Sequence, residues 1–179
     1  MQIQLKPIGM EHAEAMCRWM LDAEVAENLG LRREPSLKRT REWIQRVTLD
    51  QSCRAFAIER ESRHLGNVVL DERDERLRSA RMSVYVGERD ERGRGIGQAA
   101  IELALAHGFG EMDLNKIWLI VHAENEPAFG LYRKIGFQVE GRLRDGFFLR
   151  GRLIEALLMG LLKRDYEISR IKSSVTESQ

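Results

Sequence analysis

Between residues 82 and 109 the chain passes from an apolar stretch, MSVYV (82–86), through RGRGIG (92–97) into QAAIELALAHGF (98–109), whose composition and spacing predict a helix. A strand that leads through alternating glycines into a helix admits few arrangements. One reading is a tight turn with close packing, because glycine tolerates backbone angles that other residues avoid. The other is an anion cradle. A helix N-terminus carries unpaired N–H groups and a partial positive charge. Glycines let an anionic oxygen approach those groups with no Cβ in the way. Arg92 and Arg94 add cationic donors to the same stretch.

Two familiar phosphate loops fail on spacing. A Rossmann fingerprint needs GxGxxG early in a βαβ unit. Here Gly93, Gly95 and Gly97 place the third glycine one residue too soon, and no N-terminal βαβ unit precedes them. A P-loop needs GxxxxGK[ST], whereas Gln98 and Ala99 follow Gly97.

The rest of the chain supplies the elements around this crossing. IQLKPI (3–8) alternates as a strand does. In the segment that follows, Ala13, Met16, Cys17, Met20 and Leu21 repeat at helical spacing. Ser36 is the expected N-cap of a second helix whose apolar face is Leu37, Trp43, Ile44 and Val47. RAFAIER (54–60) and HLGNVVLDE (64–72) read as a hairpin. The charge run DERDERLRSA (71–80) reads as a solvated connection. The helix after the glycines carries Ile96, Ala100, Leu103, Ala104 and His107 on one stripe, and KIWLIVHA (116–123) has the continuous apolar character of a buried strand. NEPAFGLYRKIG (125–136) predicts a helix with Pro127 in its first turn and Gly136 at its end. Two terminal strands follow within 137–163. This order gives an α/β (α+β) fold with a mostly antiparallel first half. It predicts one domain over 1–165 and a polar, frayed tail over 166–179.

Composition excludes several functions. Lys+Arg is 29 and Asp+Glu 28, a net charge of +1, so the chain as a whole does not attract nucleic acid or anionic lipid. No run reaches the roughly 18 apolar residues of a membrane span, and the first ten residues lack a signal-peptide pattern. Cys17 and Cys53 form no CxxC, and the four histidines form no HExxH. The expectation is a cytoplasmic protein with reduced thiols, no metal site, and no nucleic-acid or membrane partner.

RGRGIG resembles the (Q/R)xxGx(G/A) loop of the GNAT N-acetyltransferase superfamily through Arg92, Gly95 and Gly97. About thirty residues on, VHAENEPAFGLYRKIGF (121–137) is similar to that family's second signature, in which an Asn follows a strand and an LYRKIGF-type segment closes the next helix. The segments CRWMLDAEVAENLG (17–30) and VEGRLRDGFFLRGRLIEALLMGLLKRDY (139–166) resemble the ribosomal-protein alanine, spermidine and nucleotide-sugar amine acetyltransferase branches.

The resemblance implies a central mixed, mostly antiparallel, twisted sheet flanked by helices, with strands 4 and 5 splayed to admit acetyl-CoA. It implies backbone contacts from Tyr85 and Val86 to the pantetheine arm. It places the pyrophosphate on Arg92, Gly93, Arg94, Gly95, Ile96, Gly97 and Gln98, with Asn125 against the pantetheine. Tyr132 matches the family's leaving-group acid. A tyrosine near 10 and a thiol near 8.5 make unaided proton transfer uphill by roughly 1.5 units, about 2 kcal/mol, so a hydrogen bond to the leaving sulfur is the lesser demand. The base stays open among Asp71, Glu72, Glu124, His122 and a water chain. The expected reaction is direct attack of a primary amine on acetyl-CoA in a ternary complex. The alternative is a non-catalytic CoA-binding module. The acceptor is expected to be a protein N-terminal amine or an amino sugar, because Arg32 and Arg33 oppose a polyamine. Arg142, Arg144, Arg150 and Arg152 read as a solvated hairpin or, alternatively, as a cationic rim for an acidic acceptor. Apolar terminal strands suggest a homodimer.

Overall fold

The computed structural model describes residues 2–31 and 34–176, with side chains to 171. Seven strands form one sheet: β1 (Gln4–Pro7), β2 (Arg54–Arg60), β3 (Arg63–Asp74), β4 (Ser79–Val86), β5 (Lys116–His122), β6 (Gln138–Leu149) and β7 (Arg152–Leu162). Their spatial order is β1-β2-β3-β4-β5-β7-β6. All neighbours are antiparallel except β4 and β5, which run parallel. The helices are α1 (Ala13–Met20), α2 (Ala23–Asn28), α3 (Leu37–Leu49), α4 (Ile96–Phe109), α5 (Glu126–Ile135) and α6 (Lys163–Thr176).

Each face of the sheet is covered. On one, α4 buries Ile96, Ala100, Ile101, Ala104 and Leu105 against Val68, Leu70, Ala80 and Met82. On the other, α1 and α3 bury Met16, Trp19 and Ile44 over Ala57. Period-two alternation along β4 sends Val84 and Val86 to the first layer and Tyr85 to the second. Ser36 caps α3 as expected, its Oγ accepting from Arg39 N at 3.3 Å, and Asn125 caps α5, its Oδ1 accepting from Ala128 N at 3.2 Å.

Four expectations are corrected. The run 71–80 is not a free connection, because β3 continues to Asp74 and β4 begins at Ser79. Its charges pair across the strands, with Arg81 Nε donating to Asp71 Oδ1 at 2.9 Å. Leu103 lies off the buried stripe of α4 and is 39% exposed. Residues after 165 begin as helix rather than a frayed tail, and Tyr166 packs on Phe109 with ring centroids 5.0 Å apart. The apolar β7 is no free edge, since β5 and β6 flank it. The edge strand is β6, with Phe148 and its cross-strand partner Leu153 exposed at the hairpin end.

Candidate active site

The parallel pair is short. Ser79, Ala80 and Arg81 pair with Lys116, Ile117 and Trp118, and there the ladder stops. Beyond it, residues 82–86 pair with β3 alone and 119–122 with β7 alone. Two interior strands thus fork, and each leaves one edge of backbone N–H and C=O groups without a strand partner. Buried backbone groups in this condition require partners, and a ligand with amides in an extended chain supplies them. The fork opens into a cleft of about 930 Å³. Ser83, Val84 and Tyr85 of β4 and Ile120, Val121 and His122 of β5 line it, together with Leu29, Gly30, Leu31, Phe147 and Phe148.

The glycine loop is braced from below. Glu88 accepts from Trp19 Nε1 at 3.0 Å and from Arg18 at 2.5 Å. Glu91, almost wholly buried, pairs with Arg60 and Arg63. Gly93 and Gly95 have φ of 73° and 81°, so the turn requires them for conformation. A Cβ on either would meet no protein atom within 4 Å. Gly97 differs, being helical, and its Cβ would make ordinary contact with Leu131 and Val86 at 3.9 Å. Backbone bonding in α4 begins at Ala99 N, which donates to Gly95 O at 3.0 Å. The N–H groups of Ile96, Gly97 and Gln98 belong to the first turn and have no intrahelical acceptor. The Gln98 side chain is tied to Glu102 and Lys134.

Arg92 points away from the cradle. Its Nε donates to Val86 O at 3.0 Å, one Nη to Gly87 O at 3.3 Å and the other to Glu24 Oε2 at 3.0 Å. It fastens the loop to the end of β4 and to α2, which leaves the exposed Arg94 as the loop's cation. Hydrogen bonds from a charged donor contribute roughly 1.5–3 kcal/mol each. Arg92→Leu is therefore expected to cost about 3 kcal/mol of stability, read as a lower urea midpoint. An unchanged midpoint with a weakened affinity for CoA would instead make Arg92 a ligand contact.

Asn125 and Tyr132 both line the cleft. Capping occupies Asn125 Oδ1, so only its Nδ2 is left to reach a ligand. Tyr132 lies edge-to-face on Phe137, and burial pushes its phenol up to about 12. Of the four base candidates, three carboxylates are neutralised. Asp71 and Glu72 pair with Arg81, and Glu124 with Arg152. His122 stands apart. It lines the cleft, its Nε2 lies 3.0 Å from Asn28 Oδ1, and Phe147 packs on its ring. With the Asn28 oxygen facing it, Nε2 is the donor and Nδ1 keeps a lone pair, which is buried with no partner among the described residues. The rim arginines are largely spent, since Arg142, Arg150 and Arg152 pair with Glu155, Glu27 and Glu124.

Tyr85 is fixed through a relay. Gly66 O lies 3.0 Å from His64 Nε2, so that nitrogen carries the proton and also donates to Asn67 Oδ1 at 2.9 Å. Asn67 Nδ2 then donates to the Tyr85 hydroxyl at 2.6 Å. The contribution of residues 29–31 and 147–148 to the cleft, the Asn28–His122 contact and this relay escaped sequence reasoning.

Desolvation holds the pKa of both His64 and His122 below the ordinary 6.5. The unfolded chain binds protons there more readily, so their contribution is present above about pH 6.5 and is lost as pH falls below it. The urea midpoint is expected to drop between about pH 7.5 and pH 5.5. A flat or rising midpoint would contradict neutral burial of these rings.

Among the described residues no helix is long and apolar enough to cross a membrane, and no group of three His, Cys, Asp or Glu could hold a metal ion. The chain is 37% identical over 117 residues to the spermidine N(1)-acetyltransferase of Escherichia coli K12, a match that covers 65% of this chain and 62% of that protein's length. It superposes with a TM-score of 0.87 and 26% identity on the crystal structure of spermidine N-acetyltransferase from Vibrio cholerae in complex with CoA and spermine, covering 92% of this chain and 98% of that one. A dodecameric structure of the same Vibrio protein aligns with a TM-score of 0.80 and 26% identity, over 92% of this chain and 96% of that one. Residues 2–138 match the family described as Acetyltransferase (GNAT) domain. With the forked strands and the glycine-led helix in place, the chain belongs to the GNAT acetyltransferase family.

Proposed function

We propose that this chain is an acetyl-CoA-dependent N-acetyltransferase that acts on a primary amine by direct attack within a ternary complex. One observation carries the reading: the open fork and the Tyr132 phenol share one cleft, and the first turn of α4 begins beside the end of β4, where a Cβ on Gly97 would lie 3.9 Å from Val86. The free edges of β4 and β5 suit the amides of a pantetheine arm. The N–H groups of Ile96, Gly97 and Gln98, with Arg94 beside them, suit its pyrophosphate. A CoA-binding module without chemistry would have no need of a phenol at the cleft.

The attacking amine must lose a proton, because an alkylammonium near 10.4 is mostly charged at neutral pH. His122 is the proton acceptor that the arrangement supports, because it lines the cleft, is neutral at pH 7 and has no ion-pair partner among the described residues, unlike the three carboxylates. Backbone N–H groups on the open edge of β4 suit the developing oxyanion. With its phenol near 12, Tyr132 would give up its proton to a thiolate only about 3.5 units uphill. It therefore acts as a hydrogen-bond donor to the leaving sulfur.

For the acceptor, the relatives' names support a polyamine over the protein N-terminus or amino sugar favoured in the sequence reading. The objection from Arg32 and Arg33 falls on residues outside those described. The paired rim arginines withdraw support from a nucleotide-linked sugar. Self-association is supported by the free edge of β6 and by the oligomer of the Vibrio relative. The test is thiol release from acetyl-CoA with spermidine, a free-N-terminus peptide and an amino sugar. Turnover with spermidine is expected. Turnover with the peptide or sugar alone would overturn the polyamine reading, and binding of CoA without turnover on any of them would favour the non-catalytic module.

A further inference from the structure

A second cavity of about 440 Å³ lies on the α1–α3 side of the sheet. It meets the acetyl-transfer cleft at Leu29, Leu31, Ser83 and Tyr85, which line both. We propose that this cavity is the acceptor subsite and that it reads the amine through its hydrocarbon run rather than through its charge. The inference rests on the transferase reading above and deepens it.

Three observations support it. First, the wall is apolar, built from Met16 and Met20 on α1, Pro35 and Trp43 around α3, and Val69 on β3. Second, its polar groups are mostly engaged at home. Thr40 donates to Ser36 O, Ser36 caps α3, and Asn67 is held between His64 and Tyr85. Third, the described wall offers little charge to a polycation. Glu34 is its one carboxylate, and Arg39 stands in the same wall and donates to the Glu34 carbonyl at 2.5 Å. Tyr85 at the junction stays neutral, because burial raises its phenol further from ionisation. A polyamine enters such a site by its methylene segment, with one distal ammonium near Glu34.

The probes are n-butylamine, n-hexylamine, n-octylamine and spermidine, each assayed for thiol release and, without acetyl-CoA, for its shift of the thermal midpoint. Each buried methylene should lower KM about fourfold, and octylamine should outbind spermidine. Trp43→Ala should flatten that slope while leaving the affinity for CoA unchanged. Val69→Asp, if it folds, should invert the preference toward spermidine, and Trp43→Ala alone decides if it does not. A flat series in both readouts, or spermidine binding more tightly than octylamine, would overturn the subsite. A steep series in binding without thiol release would leave the subsite standing and overturn the transferase reading.

Discussion

Replacing Tyr132 by phenylalanine is expected to lower kcat by about 100-fold with little change in the affinity for CoA. The estimate sits at the low end for acid catalysis because burial carries the phenol to about 12. That value makes Tyr132 a poor proton donor and a competent hydrogen-bond donor, and the bond strengthens as charge gathers on sulfur. The fold should be indifferent. Phenylalanine keeps the ring on Phe137, and among the described residues the hydroxyl satisfies no protein acceptor. Full turnover in the variant would remove Tyr132 from the mechanism. A fall in the unfolding midpoint that tracked the lost activity would make it a packing residue.

The second large effect is expected at Gly97. Gly97→Asp places a carboxylate in the first turn of α4, beside the N–H groups assigned to the pyrophosphate. The helix itself tolerates the change, since its Cβ has ordinary room at 3.9 Å and an acid near a helix N-terminus is favourable. The anionic ligand does not tolerate it, because like charges brought together cost several kcal/mol. The KM for acetyl-CoA should rise about 100-fold or more, with the thermal midpoint unchanged or raised. An unaltered KM in a folded variant would place the pyrophosphate elsewhere. Together the two substitutions separate chemistry, read at Tyr132 in kcat, from donor binding, read at Gly97 in KM.

What was legible in the sequence was what short-range physics fixes. Ser36 caps its helix through a bond to a residue three positions on, and its place before the apolar face of α3 alone shows it. The glycine loop was legible as a strand-to-helix crossing. Its three glycines looked alike in sequence, yet Gly93 and Gly95 hold positive φ while Gly97 is an ordinary helical position. The protein partners of Arg92 could not be read from its neighbours in sequence. Its partners Val86 O, Gly87 O and Glu24 are gathered only when α2 closes over the end of β4. The run 71–80 was misread because cross-strand ion pairs, such as Asp71 with Arg81, let a charge-rich segment enter a sheet at both ends of its turn. The wall of the second cavity was invisible because Met16, Trp43 and Val69 come from three separate elements and no motif joins them.

The central claim is that the β4–β5 fork and the start of α4 together hold the acetyl donor. Titrating CoA into isotope-labelled protein and following backbone amides by NMR tests it directly. The account predicts that the largest shifts fall on Ile96, Gly97 and Gln98 and along Val84–Val86, and that Gly97→Asp abolishes them. Saturable shifts confined to other elements, with these amides unmoved, would contradict it.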